Sequence, residues 1–317
     1  MEIIEVKGLT KQYGDLVAVN DVDFSVQERE IFGFLGPNGA GKTTTIKMLT
    51  GLTRATSGDI SIDGVDCVRA VKNVQSIIGV VPDESNLYDE LSGLDNLVFC
   101  AGLYGIRRNE GLQRGLKLLK KFGLEEAKNK PFRTYSKGMK RKLTIAAGII
   151  HRPRILFLDE PTTGIDVVSA RQIRNLVLDL NRAGATIFLT THYIEEAERL
   201  CSRVAFIVEG KIRHLDTVEN LLEQAREDNN LEFVLSNNRV FEEEFLQKAF
   251  PENRIEVKGS RVRIHTTEPV GLKSFIDRFT EMDCEVFEAR LVRPTLEDVL
   301  VRITGLDTSG LKEVRGE

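Results

Sequence analysis

Ile31-Phe32-Gly33-Phe34-Leu35-Gly36-Pro37-Asn38-Gly39-Ala40-Gly41-Lys42-Thr43-Thr44 is the stretch from which the rest of the chain is read. Its first five residues are apolar on both faces, as a strand buried in a parallel sheet must be. The glycine-rich turn then gives way to a helical pattern marked by Ile46 and Leu49. Strand, G-x-x-x-x-G-K-T and helix in that order are the setting of a P-loop. Glycines let the backbone approach phosphate oxygens and turn its N–H groups inward at a helix N-terminus, where the dipole favours anions. Gly36, Pro37, Asn38, Gly39, Ala40, Gly41, Lys42, Thr43 and Thr44 are therefore the expected cradle for ATP. Lys42 is expected to reach its β- and γ-phosphates, with the Thr43 hydroxyl on Mg²⁺.

A second element stands further along, at Ile155-Leu156-Phe157-Leu158-Asp159-Glu160. A carboxylate ending a buried strand can face the phosphates, where Asp159 would hold the metal through water. Glu160 next to it could polarise the attacking water as general base. Apart from a P-loop, such a pair would read as a helix cap or a solvated pair; beside one, the catalytic reading is preferred. Ile173, Leu176, Val177 and Leu180 then mark a helix face ending near Gly184, and 186–190 is the next strand. Strands alternating with helices predict an α/β fold with a mixed, largely parallel sheet and ligands at the strands' carboxyl ends. Residues 1 to about 35 alternate as β, giving an antiparallel part. A helical block covers about 84–150, with Ser92 and Asp95 at capping-box spacing, Leu112, Leu116 and Leu119 on one face, and Gly123 as a stop.

Composition limits what such a chain can do. An apolar share of 41% with 29% charged residues is that of a globular protein. Basic residues number 44 against 48 acidic, so the net charge of -4 argues against a nucleic-acid binder. Cys67, Cys100, Cys201 and Cys284 lie far apart without metal-ligand spacing, which reads as reduced thiols in a cytosolic protein. The N-terminus shows no basic and apolar leader pattern, so no signal peptide is expected. No apolar run approaches the roughly 18 residues of a membrane helix. If the protein acts at a membrane, another subunit provides the crossing.

Tyr135-Ser136-Lys137-Gly138-Met139, just ahead of the second element, resembles the Leu-Ser-Gly-Gly-Gln signature of ABC ATPases, matching it at Ser136 and Gly138. Thr163-Gly164-Ile165-Asp166 resembles their D-loop, His192 their switch histidine, and Tyr13 the aromatic that stacks on adenine. The resemblance spans residues 1 to about 225. It implies two such subunits, expected here as a homodimer, sandwiching two ATP molecules so that Ser136, Gly138 and Asp166 serve the opposite subunit's nucleotide. It further implies a place on the cytoplasmic face of the cell membrane. One position departs from the pattern: the family's metal-binding glutamine follows a Gly-aromatic-x-Pro run, whereas here Gly79-Val80-Val81-Pro82 precedes Asp83-Glu84. Asp83 is aligned but shorter and charged; Glu84 has the right length one place late. Asp83 is taken as the ligand, with Glu84 the alternative.

Beyond the polar run AREDNN (225–230), the segments read strand 231–236, helix 240–250, strands 254–258 and 261–266, helix 270–281, strand 284–291 and a short helix 295–303. Gly259-Ser260 marks a hairpin, and the order βαββαβ is ferredoxin-like. The expected domains are thus an ATPase over 1–224 and a small α+β regulatory domain over 225–317, with Phe233, Phe245, Ile264, Phe275 and Phe279 in the latter's core. Arg293-Pro294-Thr295-Leu296-Glu297-Asp298-Val299-Leu300 with Thr304-Gly305 resembles the daunorubicin-resistance-type exporter branch, which implies separately encoded transmembrane subunits and a small regulatory domain after the ATPase. A competing reading is a soluble ABC ATPase working on ribosomes or DNA, disfavoured by the single cassette and the lack of a heptad run.

Overall fold

The computed structural model describes residues 1–224, 229–236, 243–266, 271–292, 295–297 and 299–300. A long hairpin, β1 (Glu2–Tyr13) and β2 (Leu16–Gln27), opens the chain. It continues through β3 (Ile31–Leu35), α1 (Lys42–Leu49), β4 (Ser57–Ile62), β5 (Val65–Asp66), α2 (Val71–Ile77) and β6 (Ile78–Val81). The helical block is α3 (Gly93–Leu103), α4 (Arg108–Lys121) and α5 (Lys137–Gly148). After it come β7 (Ile155–Asp159), α6 (Val167–Arg182), β8 (Thr186–Thr191), α7 (Ile194–Leu200), β9 (Arg203–Val208), β10 (Lys211–Thr217) and α8 (Val218–Gln224).

The all-apolar strands lie where their composition demands, inside. β6, β7, β8, β3 and β9 pair in parallel in that order, and β10 joins antiparallel beside β9. A second, antiparallel sheet runs β2-β1-β4-β5. Phe24 of β2 packs on Phe32 and Phe34 of β3 and Phe188 of β8, with ring centroids 5.5–5.9 Å apart. Burying each such ring stabilises the fold by roughly 1.5–3 kcal/mol, so the core between the two sheets holds the ends of β3, β7 and β8 in fixed relation.

Ser92 caps α3, its Oγ accepting from the Asp95 amide at 3.0 Å, as the spacing predicts. The face assigned to α4 needs correcting. Leu119 is buried, but Leu112 and Leu116 are 41% and 38% exposed. The inward stripe is Gly111, Gly115 and Leu119, four residues apart. A Cβ on Gly111 would stand 3.0 Å from the Ala101 Cβ, and one on Gly115 would stand 3.1 Å from Leu94 Cδ1. Glycine thus brings α4 close against α3.

Contacts divide the chain between Val218 and Glu219. The expected boundary at 224 followed polarity, which marks where a chain is solvated rather than where its contacts part. In the second unit β11 (Asn229–Leu235), α9 (Glu243–Ala249), β12 (Arg254–Lys258), β13 (Arg261–Thr266), α10 (Leu272–Glu281) and β14 (Val286–Val292) form a βαββαβ unit. Its antiparallel sheet is ordered β12-β13-β11-β14, with the hairpin turning at Gly259. Phe233, Ile264, Phe275 and Phe279 are in its core, with Leu246 and Phe250. Phe245, expected among them, is 52% exposed. On α9 the inward stripe runs 246, 249, 250, which turns position 245 away. The helix expected over 295–303 and the motif at 293–305 extend outside the described residues.

The α3–α4 contact yields a direct test. Gly115→Leu should lower unfolding free energy by about 1–3 kcal/mol through overpacking, whereas Leu112→Ala should change it by less than about 0.5 kcal/mol. Urea unfolding of the two variants checks the assignment; equal costs would contradict it.

Candidate functional site

The P-loop fills the turn between the carboxyl end of β3 and the start of α1, and β3 lies between β8 and β9 in the parallel sheet. Gly41 precedes the helix at φ 106°, and a Cβ there would meet the Ala18 carbonyl oxygen at 2.6 Å. Both facts require glycine. No side chain caps α1, so its leading N–H groups are left for a ligand. Gly36, Ala40, Gly41 and Lys42 are buried, Pro37 and Thr44 partly so, and Asn38, Gly39 and Thr43 face solvent. Lys42 Nζ donates to the carbonyls of Gly36 at 2.7 Å and Pro37 at 3.1 Å, and lies 3.2 Å from Glu160 Oε1.

Glu160 stands one residue past β7 at φ 47°, a left-handed conformation that strains a residue with a side chain. The neighbouring strand holds it there: its N–H lies 3.1 Å from the Thr190 carbonyl oxygen and 3.2 Å from the Thr190 hydroxyl. Glu160 Oε2 accepts from the Thr163 hydroxyl at 3.1 Å and meets His192 Nδ1 at 2.9 Å. Burial pushes the Glu160 pKa up, but the His192 hydrogen bond and the Lys42 charge outweigh it and hold the carboxyl below its usual range. An ionised carboxylate shielded from bulk water is the state a general base needs. Lys42, Glu160 and His192 are thus brought together from three strand ends.

Asp159, the last residue of β7, is buried and accepts from the Thr190 hydroxyl at 2.5 Å. Asp83 follows β6 by two residues. Partial desolvation raises its pKa; Arg141 pulls it down, while Asp159, Glu160 and Glu84 push it up. Its carboxyl therefore feels both acids at the end of β7. Glu84 is exposed beside it. Among the described residues no three His, Cys, Asp or Glu side chains form a self-contained metal cage. Thr43, Asp159 and Asp83 offer an all-oxygen set, the kind that binds Mg²⁺ together with phosphate and water oxygens. The donor chemistry fits that ion.

Ser136, Gly138 and Asp166 form a separate cluster. Ser136 caps α5, accepting from the Met139 amide at 3.2 Å, and Asp166 caps α6, accepting from the Ser169 amide at 2.9 Å. Gly138 packs against that second cap: a Cβ on it would lie 2.3 Å from Ser169 Oγ. Among the described residues none of the three shares a hydrogen bond or ion pair with the P-loop. Tyr13 ends β1, is 46% exposed, and has the Lys11 ammonium 4.7 Å from its ring centroid. Sequence reasoning missed Thr190 and named Thr163 only within the D-loop stretch; the two bond Glu160 and Asp159. Their one signal is a hydroxyl at the end of an apolar strand or just past the acidic pair.

The sequence profile of the family described as ABC transporter matches residues 19–163. The doxorubicin resistance ATP-binding protein DrrA of Mycobacterium tuberculosis is 35% identical, covering 97% of this chain and 95% of its own. The linearmycin resistance ATP-binding protein LnrL of Bacillus subtilis is 37% identical over 74% of this chain and 75% of its own. The solved structure of an ATP-binding subunit of an ABC transporter superposes with a TM-score of 0.64 at 31% identity, over 71% of this chain and 93% of that one. A dimeric, post-hydrolysis ATP-binding cassette with ADP and Pi gives 0.63 at 25% identity, over 68% and 98%. A likeness that runs nearly end to end in sequence, on a fold whose strand ends gather a phosphate cradle and an ionised carboxylate, means that the chain belongs to the ABC transporter family as a subunit that binds and hydrolyses ATP.

Proposed function

We propose that two copies of this chain close on two ATP molecules at the cytoplasmic face of the cell membrane, and that their opening and closing drives export through separately encoded membrane subunits. One observation carries the reading: a buried Glu160 carboxylate bridges the P-loop lysine at 3.2 Å and the switch histidine at 2.9 Å. Among the described residues no helix is long and apolar enough to cross a membrane, which suits a subunit that acts on membrane partners. The similar proteins are named for drug resistance or, in Mycobacterium tuberculosis, for fluoroquinolone export, which favours export over work on ribosomes or DNA. One similar structure is a dimer, and another belongs to a transporter complex, CbiONQ.

In this reading Lys42 leaves its carbonyl contacts to bind the β- and γ-phosphates, and Tyr13 stacks on adenine. Glu160 takes a proton from water as the water oxygen bonds to the γ-phosphorus and the bond to the β–γ bridging oxygen breaks, leaving ADP and phosphate. His192 orients Glu160 and contacts the γ-phosphate. Thr43, Asp159 and Asp83 would hold Mg²⁺, which supplies charge neutralisation on the phosphate oxygens. Ser136, Gly138 and Asp166 meet the partner's nucleotide, where the positive end of α5 favours the γ-phosphate. The unit that begins at Glu219, with its own core, tunes this cycle.

Glu160→Gln keeps the shape and removes the base, so turnover should fall by about 10²-fold or more. ATP binding should persist, and a dimer should accumulate in size-exclusion chromatography. Wild-type phosphate release by this variant would remove Glu160 from its role.

At the departing position, Asp83→Ala should raise the Mg²⁺ needed for half-maximal ATPase by about tenfold, equivalent to ~1.4 kcal/mol. Glu84→Ala should leave it unchanged, and the reverse pattern would hand the role to Glu84. A chain ending at Gln224 should still melt cooperatively and bind ATP within about threefold of wild type, under ~1 kcal/mol, while its hydrolysis rate changes more. Loss of the melting transition would mean that the second unit completes the ATPase core.

A further inference from the structure

Arg141 lies in the second turn of α5, five residues beyond its cap Ser136, and its side chain is buried. Its guanidinium is spent entirely on backbone. Nε donates to the Pro161 carbonyl at 2.9 Å, one terminal nitrogen to the carbonyls of Pro82 and of Asp83, the latter at 3.0 Å, and the other to the carbonyl of Asp159. The β6–β7 ladder ends at Val81↔Leu158. The guanidinium therefore spans the opening just past the last paired residues, meeting carbonyls that the sheet no longer pairs across that gap. Through Asp159 and Pro161 it holds the backbone on both sides of Glu160.

Burying a cation is costly unless charge and hydrogen bonds offset it. Burial lowers the Arg141 pKa, and the nearby Asp83, Asp159 and Glu160 carboxylates oppose that; four hydrogen bonds to backbone carbonyls occupy its donors. Lysine could not replace it. A single ammonium donates from one point, whereas the fork spans several acceptors with fixed geometry. α5 thus carries Ser136 at its tip and grips, one turn later, the backbone of the acids at the ends of β6 and β7.

We propose that Arg141 is a positioning residue for ATP hydrolysis, locking the backbone of Asp83, Asp159 and Glu160 to the helix that bears Ser136. Engagement of that helix by a partner's nucleotide and alignment of the base then become one event. The inference rests on the reading of Glu160 as base, and Glu160→Gln measured alongside separates the two.

The test uses the full-length protein, with phosphate release for kcat, equilibrium titration with Mg²⁺ and a non-hydrolysable ATP analogue, and thermal melting. In Arg141→Lys, kcat should fall by about 10-fold or more, since small misplacement of a reacting group has effects of this order. Analogue affinity should stay within about threefold of wild type. The melting temperature should drop by no more than about 10 °C, a loss of ~3 kcal/mol for a domain of this size. Arg141→Gln, which keeps two donors and drops the charge, should lose more turnover with the same split. Unchanged turnover in folded Arg141→Lys would overturn the proposal. So would equal losses of turnover and affinity, or melting of both variants, either of which makes Arg141 an ordinary structural residue. Turnover retained by Glu160→Gln would instead sink the reading beneath it.

Discussion

Lys42, Glu160 and His192 meet at one carboxylate although they stand at the ends of three different strands. That meeting depends on the parallel sheet. β3, β8 and β7 lie side by side in register, so their carboxyl ends open onto the same edge. The Phe24, Phe32, Phe34, Phe157 and Phe188 rings interlock around the same strands and resist any slip between them. A buried carboxylate would otherwise pick up a proton. Here the His192 hydrogen bond and the Lys42 charge hold its pKa below the usual range.

The same edge stores strain and relieves it locally. Glu160 is held in a left-handed conformation by two bonds to Thr190, and Thr190 also orients Asp159. One threonine thus aims both acids. Beyond the sheet's last pairing, Arg141 replaces ladder hydrogen bonds with a guanidinium. This edge is consequently built from side chains that serve the backbone as much as from those proposed to touch nucleotide.

Helical elements behave differently from strands in how they reveal themselves. An apolar run of five residues reads as a buried strand whichever way it faces, because both faces are covered. A helix buries one stripe, and its phase depends on what it packs against. In α4 the packed stripe is made of two glycines and one leucine, so counting leucines selected the wrong face. In α9 the exposed Phe245 sits one position from the buried Leu246. Burial there follows the sheet beneath rather than residue size.

By itself the sequence determined the P-loop, the strand ending in Asp159-Glu160, the largely parallel α/β order and the βαββαβ order of the second unit. These are encoded within short stretches, where backbone geometry and periodicity leave few alternatives. The likeness of Ser136, Asp166, His192 and Tyr13 to family motifs was legible for the same reason. Tertiary structure alone decided that Glu160 touches both Lys42 and His192, that Asp83 feels Asp159, and that Arg141 closes the gap between β6 and β7. Those pairings join residues from about 20 to more than 100 positions apart, and no local rule of spacing sets their distance. They exist because a packed core brings strand ends together, and only the packing says which ends.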